Sequence, residues 1–338
     1  MKKLLFIGHK FHEKTRSSDF LIDLLETKYQ ITKISIDLYS EDKFEPLKKL
    51  TITDFNVLLF WQIKPTLKNF PEKFTYAHAV FFPMYDDVRG LKKIERWYPY
   101  KNFHIINFCR QLHKDLLAAG FDSHYIQYFP QPPVELPNLG NPQHAFFWNR
   151  SKSISTETLA DLFSSYDLKR LHIHKVLDPD HSFIPPQKNL ADHIFYSEWY
   201  PKKSDMLDDI LDCSLYIAPR KKEGIGMSFL EAMAMGRCVI APDHPTMNEY
   251  ITHNQTGILY SLEKPAPISL KDIQAIQLAS YTFMQDGHKQ WENNKLKILE
   301  WIESPLSTKH STLRKKLFIR FLQRPIKIIK ALKSSKLF

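Results

Sequence analysis

The chain has 338 residues, of which 43% are apolar and 25% are charged, and this composition excludes a disordered polypeptide because it supplies enough apolar material for a core. The length suggests two domains. Cys109, Cys213 and Cys238 are too few and too scattered for a disulfide framework or a zinc site, so we expect a reducing compartment. No apolar run approaches the roughly 18–20 residues of a membrane span, and the run near the N-terminus is too short for a signal peptide.

The formal net charge of +10 is carried by the C-terminal tail. Residues 304–338 contain ten Lys or Arg and no Asp or Glu, whereas basic and acidic side chains balance in residues 1–303. Apolar and basic residues alternate at helical spacing over 311–338, which predicts an amphipathic helix on an anionic membrane surface. We therefore expect a cytoplasmic protein held peripherally at the inner face of a membrane. The alternative is a solubilising or packed tail, and nucleic acid is a weaker candidate because the charge lies on no folded, aromatic-bearing face.

Residues 1–130 alternate between apolar runs and amphipathic stretches. The predicted strands are LLFIG, ITKISI, 57–60, 79–82, HIINF and YIQYF, with helices over 19–28 and 111–119. This alternation predicts a first domain with a parallel, doubly wound sheet. Five prolines lie in residues 130–142, so we place a linker at 131–142 and a second domain at 143–286. A further helix is predicted over 287–303.

The tract from Leu215 to Tyr260 organises the second domain. A buried strand is followed by a charged loop with Gly224 and Gly226, a helix that begins near Met227 and a second strand. The right-handed crossover of such a unit places the start of the helix at the carboxyl edge of the sheet, where ligands bind. Free amides there favour an anion, most often phosphate, so the amides of Gly226, Met227 and Ser228 are candidate phosphate ligands.

Two carboxylates lie on either side of this turn. Glu223 precedes the helix and Glu231 lies about one turn inside it, so the two do not share a helix face and do not form a simple acid/base dyad. One carboxylate can hold a vicinal diol by two hydrogen bonds, as acidic residues hold ribose in dinucleotide folds. The other is free to meet a different part of the ligand.

With its surroundings, this pair resembles a known family. Glu223 and Glu231 form the E-x7-E pattern of retaining glycosyltransferases with the GT-B fold, family 4, and the tract EGIGMSFLEAMAMGRCVIAPDHPTMNEYITHNQTGILY is similar to that family's donor half. The resemblance implies an α/β protein with two Rossmann-like domains facing across a cleft, and it makes 287–303 a C-terminal crossover helix. It also implies transfer of a sugar from a UDP- or GDP-type donor with retained configuration and with no metal or other cofactor.

The resemblance also assigns site residues. Glu231 is expected to hold the ribose and Glu223 to contact the donor sugar, while the turn at Gly224, Gly226, Met227 and Ser228 cradles the diphosphate. Arg150, at the end of a predicted strand, matches an arginine that grips the diphosphate in the family, and its planar guanidinium suits phosphate oxygens. Lys152 is a second candidate, although it comes sooner than the family's spacing.

The acceptor side is less well defined. Family members often carry a His or a His-Asp pair in a loop near the sugar, and here Asp86-Asp87 follows a predicted strand. Asp86 is therefore our candidate contact, and the alternative is a turn and helix cap. His9 and His12 belong to a loop that is a candidate for contacts with acceptor hydroxyls or phosphates. A metal ion on this histidine pair is a weaker interpretation than a solvated loop, because no third ligand is evident.

Together these observations predict a glycosyltransferase in cell-surface polysaccharide or glycolipid assembly, with a saccharide or lipid-linked saccharide acceptor. The first alternative is a nucleotide-sugar hydrolase or epimerase of the same fold, which turns over the donor without an acceptor. The second is a catalytically silent nucleotide-sugar-binding or scaffold protein, in which Glu223→Gln changes nothing.

Overall fold

The computed structural model describes residues 1–40, 45–64, 78–88, 97–178 and 181–307. The chain divides into two compact units. Unit 1 comprises Met1–Ile126 together with Asn294–Phe338, and unit 2 comprises Gln127–Asn293. Each unit contains one six-stranded sheet in which all paired strands are parallel.

Unit 1 has a doubly wound sheet of order β2-β1-β3-β4-β5-β6. Its strands are β1 Lys2–His9, β2 Tyr29–Ile36, β3 Val57–Trp61, β4 Ala79–Phe82, β5 Phe103–Asn107 and β6 Ser123–Tyr125. Its helices are α1 Phe11–Thr15, α2 Asp19–Glu26, α3 Glu45–Lys48 and α4 Arg110–Ala119, with 3-10 turns at Ile52–Asp54 and Tyr98–Tyr100. Strands β3, β4 and β5 are buried along their whole length, as expected for apolar runs in a parallel sheet covered on both faces.

Unit 2 has a sheet of order β12-β11-β10-β7-β8-β9. Its strands are β7 Asn141–Asn149, β8 Arg170–Lys175, β9 His193–Ser197, β10 Cys213–Ile217, β11 Cys238–Pro242 and β12 Ile258–Tyr260. Its helices are α5 Thr156–Leu162, α6 Lys203–Leu211, α7 Met227–Ala234 and α8 Ile273–Asn294, with a 3-10 turn at Met247–Glu249. The strand–helix–strand unit predicted from Leu215 onward corresponds to β10, α7 and β11.

The proline-rich segment 131–142, predicted as a linker, groups with unit 2. Prolines remove amide donors but keep their carbonyls, and the carbonyls of this segment accept hydrogen bonds from side chains of unit 2. The Leu139 carbonyl accepts from Ser214 Oγ and Gln277 Nε2, both at 2.7 Å, and the Asn138 carbonyl accepts from Arg237 Nη2 at 2.5 Å. Strand β7 begins inside the segment, at Asn141.

The predicted crossover helix 287–303 is divided between two helices. Helix α8 runs through Gly287 without a break, because this glycine lets the helix lie directly on Phe129, whose ring carbons would be 2.2 Å from an added Cβ. The chain leaves α8 after Asn294 and forms α9, Lys297–Glu303, which belongs to unit 1. Glu303 joins α9 to the sheet of unit 1 by ion pairs with Lys2 at 3.0 Å and Lys28 at 2.7 Å.

Within the described residues, no helix has both the length and the apolar character to cross a membrane. The predicted membrane-binding stretch 311–338 lies outside the described residues.

Candidate functional site

The candidate site lies where the strand order of unit 2 reverses. Strands β7 and β10 are neighbours, yet the chain continues from β7 to one side of the sheet and from β10 to the other. The crevice beyond the carboxyl ends of two such strands is the usual ligand site of an open parallel sheet. Arg150 directly follows β7, and the loop that follows β10 leads to Gly226 and α7.

The start of α7 is shaped by Gly226. This residue is the N-cap, with a φ of 83°, a left-handed conformation that side chains rarely adopt. A Cβ at this position would lie 1.9 Å from Cε1 of Phe229, which is fully buried. The glycine is therefore required by its own helix. It leaves the first amides of α7, at Met227 and Ser228, on partly exposed residues at the carboxyl edge.

Glu223 is buried in the loop before α7, with 7% of its surface exposed. Its backbone carbonyl accepts a hydrogen bond from Thr246 Oγ1 at 2.7 Å. Thr246 is itself fully buried and has a φ of 80°, which is unusual for a β-branched residue and is retained only where the surroundings enforce it. The hydrogen bond from Thr246, in the segment after β11, thus holds the loop that carries Glu223 in place.

Glu231 lies on α7 with 23% of its side chain exposed, and its Oε1 is 2.6 Å from Nζ of Lys203, at the start of α6. The phenol of Tyr216, on β10, lies close to both site carboxylates. Burial and the charges of Glu223 and Glu231 raise the pKa of Tyr216, while Ser228 and Arg150 oppose that rise. Tyr216 therefore adds a neutral hydroxyl to the site.

Arg150 is held by an aspartate that it shares with a second arginine. Asp178 Oδ1 accepts from Nε and Nη2 of Arg150 at 3.1 and 2.7 Å, and both Asp178 oxygens accept from Nη2 of Arg220 at 2.6 Å. Although burial raises the pKa of Asp178, the two guanidiniums lower it below its ordinary value. The guanidinium of Arg150 also lies over the ring of Trp148, 5.0 Å from its centroid. The guanidiniums of Arg150 and Arg220 therefore converge on Asp178 at the carboxyl edge of the sheet.

Two other predicted site residues, Lys152 and Asp86, make different contacts from those of Arg150. Lys152 is exposed, and its backbone amide lies 3.4 Å from Nδ1 of His181. Asp86 belongs to unit 1, where the amides of Asp87 and Val88 both bond the Met84 carbonyl at 3.1 Å and close a turn. The turn that was the alternative interpretation of Asp86-Asp87 is present.

Sequence reasoning did not assign roles to Tyr216, Asp178 or Lys203. Tyr216 lies on β10 and Asp178 follows β8, and only the strand order places both near Arg150. The strand order also brings Arg220, from the charged loop after β10, to Asp178.

A hydrogen-bonded network covers the adjoining face of the sheet. Ser197 Oγ lies 2.7 Å from Nε2 of His172 and 2.9 Å from Nδ1 of His174, and the Tyr200 hydroxyl donates to Asp209 at 2.5 Å. These contacts give His172 and His174 a structural role in the sheet. The ring of Tyr200 stacks on His174 at 4.9 Å, whereas Trp199 is 42% exposed.

Unit 1 has an equivalent reversal, between β1 and β3. The residues after these strands are hydrogen-bonded to one another: His12 Nε2 lies 3.0 Å from Oε1 of Gln62, and His12 Nδ1 lies 2.6 Å from Ser17 Oγ. Burial, together with the neighbouring His9, lowers the pKa of His12 to about 4, while the hydrogen bond with Gln62 opposes the shift. His12 is therefore a neutral imidazole at physiological pH.

Residues 186–278, which contain the α7 turn and both site glutamates, match the family model for glycosyl transferases group 1. The segment is thus similar to this family over part of unit 2. No curated protein matches the sequence at a significant level.

Solved structures resemble most of the chain. HepE of Anabaena, solved with UDP and glucose, has a TM-score of 0.56 and 12% identity over 90% of this chain and 100% of its own. Trehalose-6-phosphate synthase OtsA has a TM-score of 0.60 and 9% identity, also over 90% of this chain and 100% of its own. The likenesses to HepE and OtsA confirm the predicted α/β fold of the GT-B type, with one parallel sheet in each of its two units. TarM matches less well, with a TM-score of 0.48 and 15% identity over 77% of this chain, and this chain spans 57% of TarM.

Proposed function

We propose that the chain is a retaining glycosyltransferase that moves a sugar from a UDP- or GDP-sugar to an acceptor hydroxyl. The observation that carries the proposal is the grouping at one strand reversal of a free helix start, two arginines and two carboxylates. A helix start and arginines suit a diphosphate, and carboxylates suit sugar hydroxyls. HepE, which has the same fold, was solved with UDP and glucose, and this supports a UDP-sugar as donor.

In the proposed reaction, positively charged groups of unit 2 stabilise the leaving phosphate. The bond between the anomeric carbon and the terminal phosphate oxygen breaks with its electron pair on the phosphate. The α7 amides and the Arg150 guanidinium then stabilise the growing negative charge. The acceptor oxygen bonds the anomeric carbon on the same face, and its proton passes to the departing phosphate oxygen. No step requires a metal ion, because the positive charge comes from the arginines and the helix.

The two glutamates have separate roles in this proposal. Glu231 accepts hydrogen bonds from the ribose diol, for which Lys203 has to release or share its carboxylate. Glu223, buried and negatively charged, contacts the donor sugar and stabilises positive charge on its anomeric carbon. In unit 1, Asp86 is the proposed contact of a saccharide or lipid-linked saccharide acceptor, which fits a role in cell-surface polysaccharide or glycolipid assembly.

The donor is tested by a thermal-shift screen of the full chain with UDP, GDP, ADP and CMP sugars. A shift of several degrees with one nucleotide class is expected, followed by turnover with a saccharide acceptor and NMR assignment of the anomeric configuration. Retained configuration supports the proposal, and inversion refutes its mechanism. Donor turnover without acceptor indicates a hydrolase or epimerase. Binding without any turnover, and without an effect of Glu223→Gln, indicates a silent binding protein.

The basic tail has its own test. We propose that residues 311–338 hold the protein on an anionic membrane, with each basic residue near the surface contributing about 1 kcal/mol before screening. Truncation after Ser304 is expected to abolish cosedimentation with vesicles containing anionic lipid, and added salt is expected to release the intact chain. Equal retention of the truncated and intact chains would contradict membrane binding by the tail.

A further inference from the structure

Three polar side chains of unit 1 converge on one face of its sheet. His104 lies on β5, Asp122 directly precedes β6 and His124 lies within β6. The register pairs Ile105 with Ser123, so positions 104, 122 and 124 all project to the face opposite Ile105, which belongs to the apolar core. Because the three positions fall near the amino ends of β5 and β6, they lie at the sheet edge opposite to the proposed acceptor loops.

The three side chains offer one ligand atom each, and these atoms all lie within 4.8 Å of one another. His104 Nδ1 is 2.5 Å from Asp122 Oδ2, and His124 Nε2 is 3.5 Å from Asp122 Oδ1. The side chains of His104 and Asp122 are each 1% exposed, and that of His124 is 21% exposed. A carboxylate and two imidazoles so well removed from water need a charge partner or hydrogen bonds.

Hydrogen bonds do not satisfy this cluster. Both ring nitrogens of His104, Nε2 of His124 and Oδ2 of Asp122 are buried and make no hydrogen bond of acceptable geometry within the described residues. The 2.5 Å contact between His104 and Asp122 is thus a close approach without hydrogen-bond alignment.

A second His–Asp pair shows what an ordinary contact looks like in this chain. His144 Nδ1 bonds Asp212 Oδ2 at 3.0 Å, and Arg170 Nη1 also donates to that oxygen at 2.8 Å. The side chains of His144 and Asp212 are 20% and 45% exposed, so water completes their hydration. In unit 1 the carboxylate of Asp122 lies instead beside two imidazoles, and its side chain is 1% exposed.

We propose that His104, Asp122 and His124 form a binding site for a divalent transition-metal ion of the Zn²⁺ type. Two imidazoles and one carboxylate are a common ligand set for this class of ion, with a fourth position left for another oxygen. Ligand atoms at 2.0–2.2 Å from tetrahedral Zn²⁺ are about 3.3 Å apart. The contacts of 2.5 and 3.5 Å are made to different oxygens of Asp122, and the three ligand atoms lie within 4.8 Å of one another, so side-chain movement is needed to bring all three to this spacing.

Ser307 gives the site a structural role. Its hydroxyl donates to Asp122 Oδ1, and the ring of His124 stacks on Trp301 of α9 at 4.8 Å with an interplanar angle of 13°. The fourth oxygen is therefore that of Ser307 or of a water beside it. A bound ion fixes the segment after α9 against β5 and β6, directly before the basic stretch of the sequence. The site takes no part in the proposed sugar transfer.

The test uses the full chain, stripped with a chelator and dialysed. One equivalent of Zn²⁺ is expected to bind by isothermal titration, with a rise of several degrees in the melting temperature. Co²⁺ is expected to give the visible absorption of a tetrahedral or five-coordinate site. His124→Gln, at the most exposed ligand, is expected to weaken Zn²⁺ binding roughly 100-fold or more, whereas the matched variant His144→Gln is expected to leave it unchanged.

Three outcomes would overturn the proposal: no stoichiometric uptake by the folded chain, equal uptake by the wild type and His124→Gln, or loss of uptake in His144→Gln alone. If His124→Gln does not fold, judged by circular dichroism, Ser307→Ala and competition between Zn²⁺ and Co²⁺ on the wild type decide the question. Because uptake is measured without any sugar donor, its result is independent of the proposed transferase activity.

Discussion

Each sheet has six parallel strands, but the two sheets differ in strand order and carry different chemistry where that order reverses. Each has one reversal of strand order, between β1 and β3 in unit 1 and between β7 and β10 in unit 2. The reversal in unit 2 is lined by formal charges, among them Arg150, Arg220 and Glu223. The reversal in unit 1 carries His12 and Gln62, which are bonded to each other and uncharged at physiological pH.

This difference indicates how binding is shared between the units. A nucleotide diphosphate is recognised by a helix start and by cations, whereas neutral hydroxyls are recognised by imidazoles, amides and single carboxylates. The comparison with known families follows the same division, because the group 1 model matches only residues 186–278, all of them in unit 2. Unit 1 is thus the half in which the acceptor specificity of the chain is expected to lie.

The largest expected effect is a loss of turnover on removing the charge of Glu223, at the strand reversal of unit 2. Glu223→Gln keeps the shape of the side chain and removes the negative charge from a position that is 7% exposed. Turnover of the donor with acceptor is expected to fall about 1000-fold, the scale of losing one electrostatic contact made in the transition state. The measurement is kcat with the sugar donor identified by the screen.

Glu263→Gln is the matched control, since Glu263 is an exposed glutamate of the same unit. It is expected to leave turnover within twofold of the wild type. Donor binding by Glu223→Gln should change much less than kcat, because the proposed role of the charge is in the transition state. A variant with full kcat would remove Glu223 from the mechanism.

The next largest effect is expected on the stability of unit 2, through the buried Arg237. Arg237 is fully buried and donates five hydrogen bonds, to the carbonyls of Asn138, Leu211, Cys213 and Met235. Arg237→Met keeps much of the volume but leaves these carbonyls without their donors. We expect the free energy of unfolding to fall by about 3 kcal/mol in urea titrations.

Arg16→Met serves as the control for Arg237, because Arg16 is 81% exposed and makes one surface ion pair with Asp19. The free energy of unfolding is expected to fall by less than about 1 kcal/mol in Arg16→Met. Equal destabilisation by the two substitutions would mean that the buried guanidinium contributes nothing beyond an ordinary surface arginine.

A smaller effect is expected in the affinity for the nucleotide. Glu231→Gln weakens two hydrogen bonds to the ribose diol, which corresponds to roughly a tenfold to 100-fold loss of affinity for UDP or GDP by calorimetry. Lys203→Met removes the 2.6 Å ion pair and leaves the carboxylate in place, so affinity is expected to stay equal or rise. An unchanged affinity in Glu231→Gln would refute the ribose role.

The sequence was most informative where local rules decide the structure. The helix at Met227–Ala234 and the turn before it follow from apolar periodicity and a glycine, and both are present. The pairing of Arg150 with Asp178 was not predictable, because it depends on β8 lying beside β7, and strand order is a tertiary property. The Lys203–Glu231 contact was missed for the same reason.

Two segments show how tertiary contacts use residues that the sequence makes conspicuous. The prolines of 131–142 predicted a linker, and the carbonyls of that segment bond to Ser214, Gln277 and Arg237. Gly287 begins the predicted helix 287–303, and in the structure it lies within α8, where it lets the helix pack against Phe129. In both cases the residue type was informative, and its partner could not be known from the sequence.

The last prediction concerns the pH dependence of stability and compares one buried histidine from each unit. The pKa of His12 in unit 1 and of His174 in unit 2 is lowered to about 4, in both cases mainly by burial and further by a neighbouring histidine. The unfolded chain takes up these protons below about pH 6.5, whereas the folded chain does so only near pH 4. Stability is therefore lost as the pH falls from 6.5 to 4, by about 2 kcal/mol per histidine at pH 5 before screening. Urea titrations from pH 7.5 to 4.5 should show a shallower loss in His174→Gln and in His12→Gln than in the exposed-site variant His193→Gln; parallel curves for all three would place the acid sensitivity elsewhere in the chain.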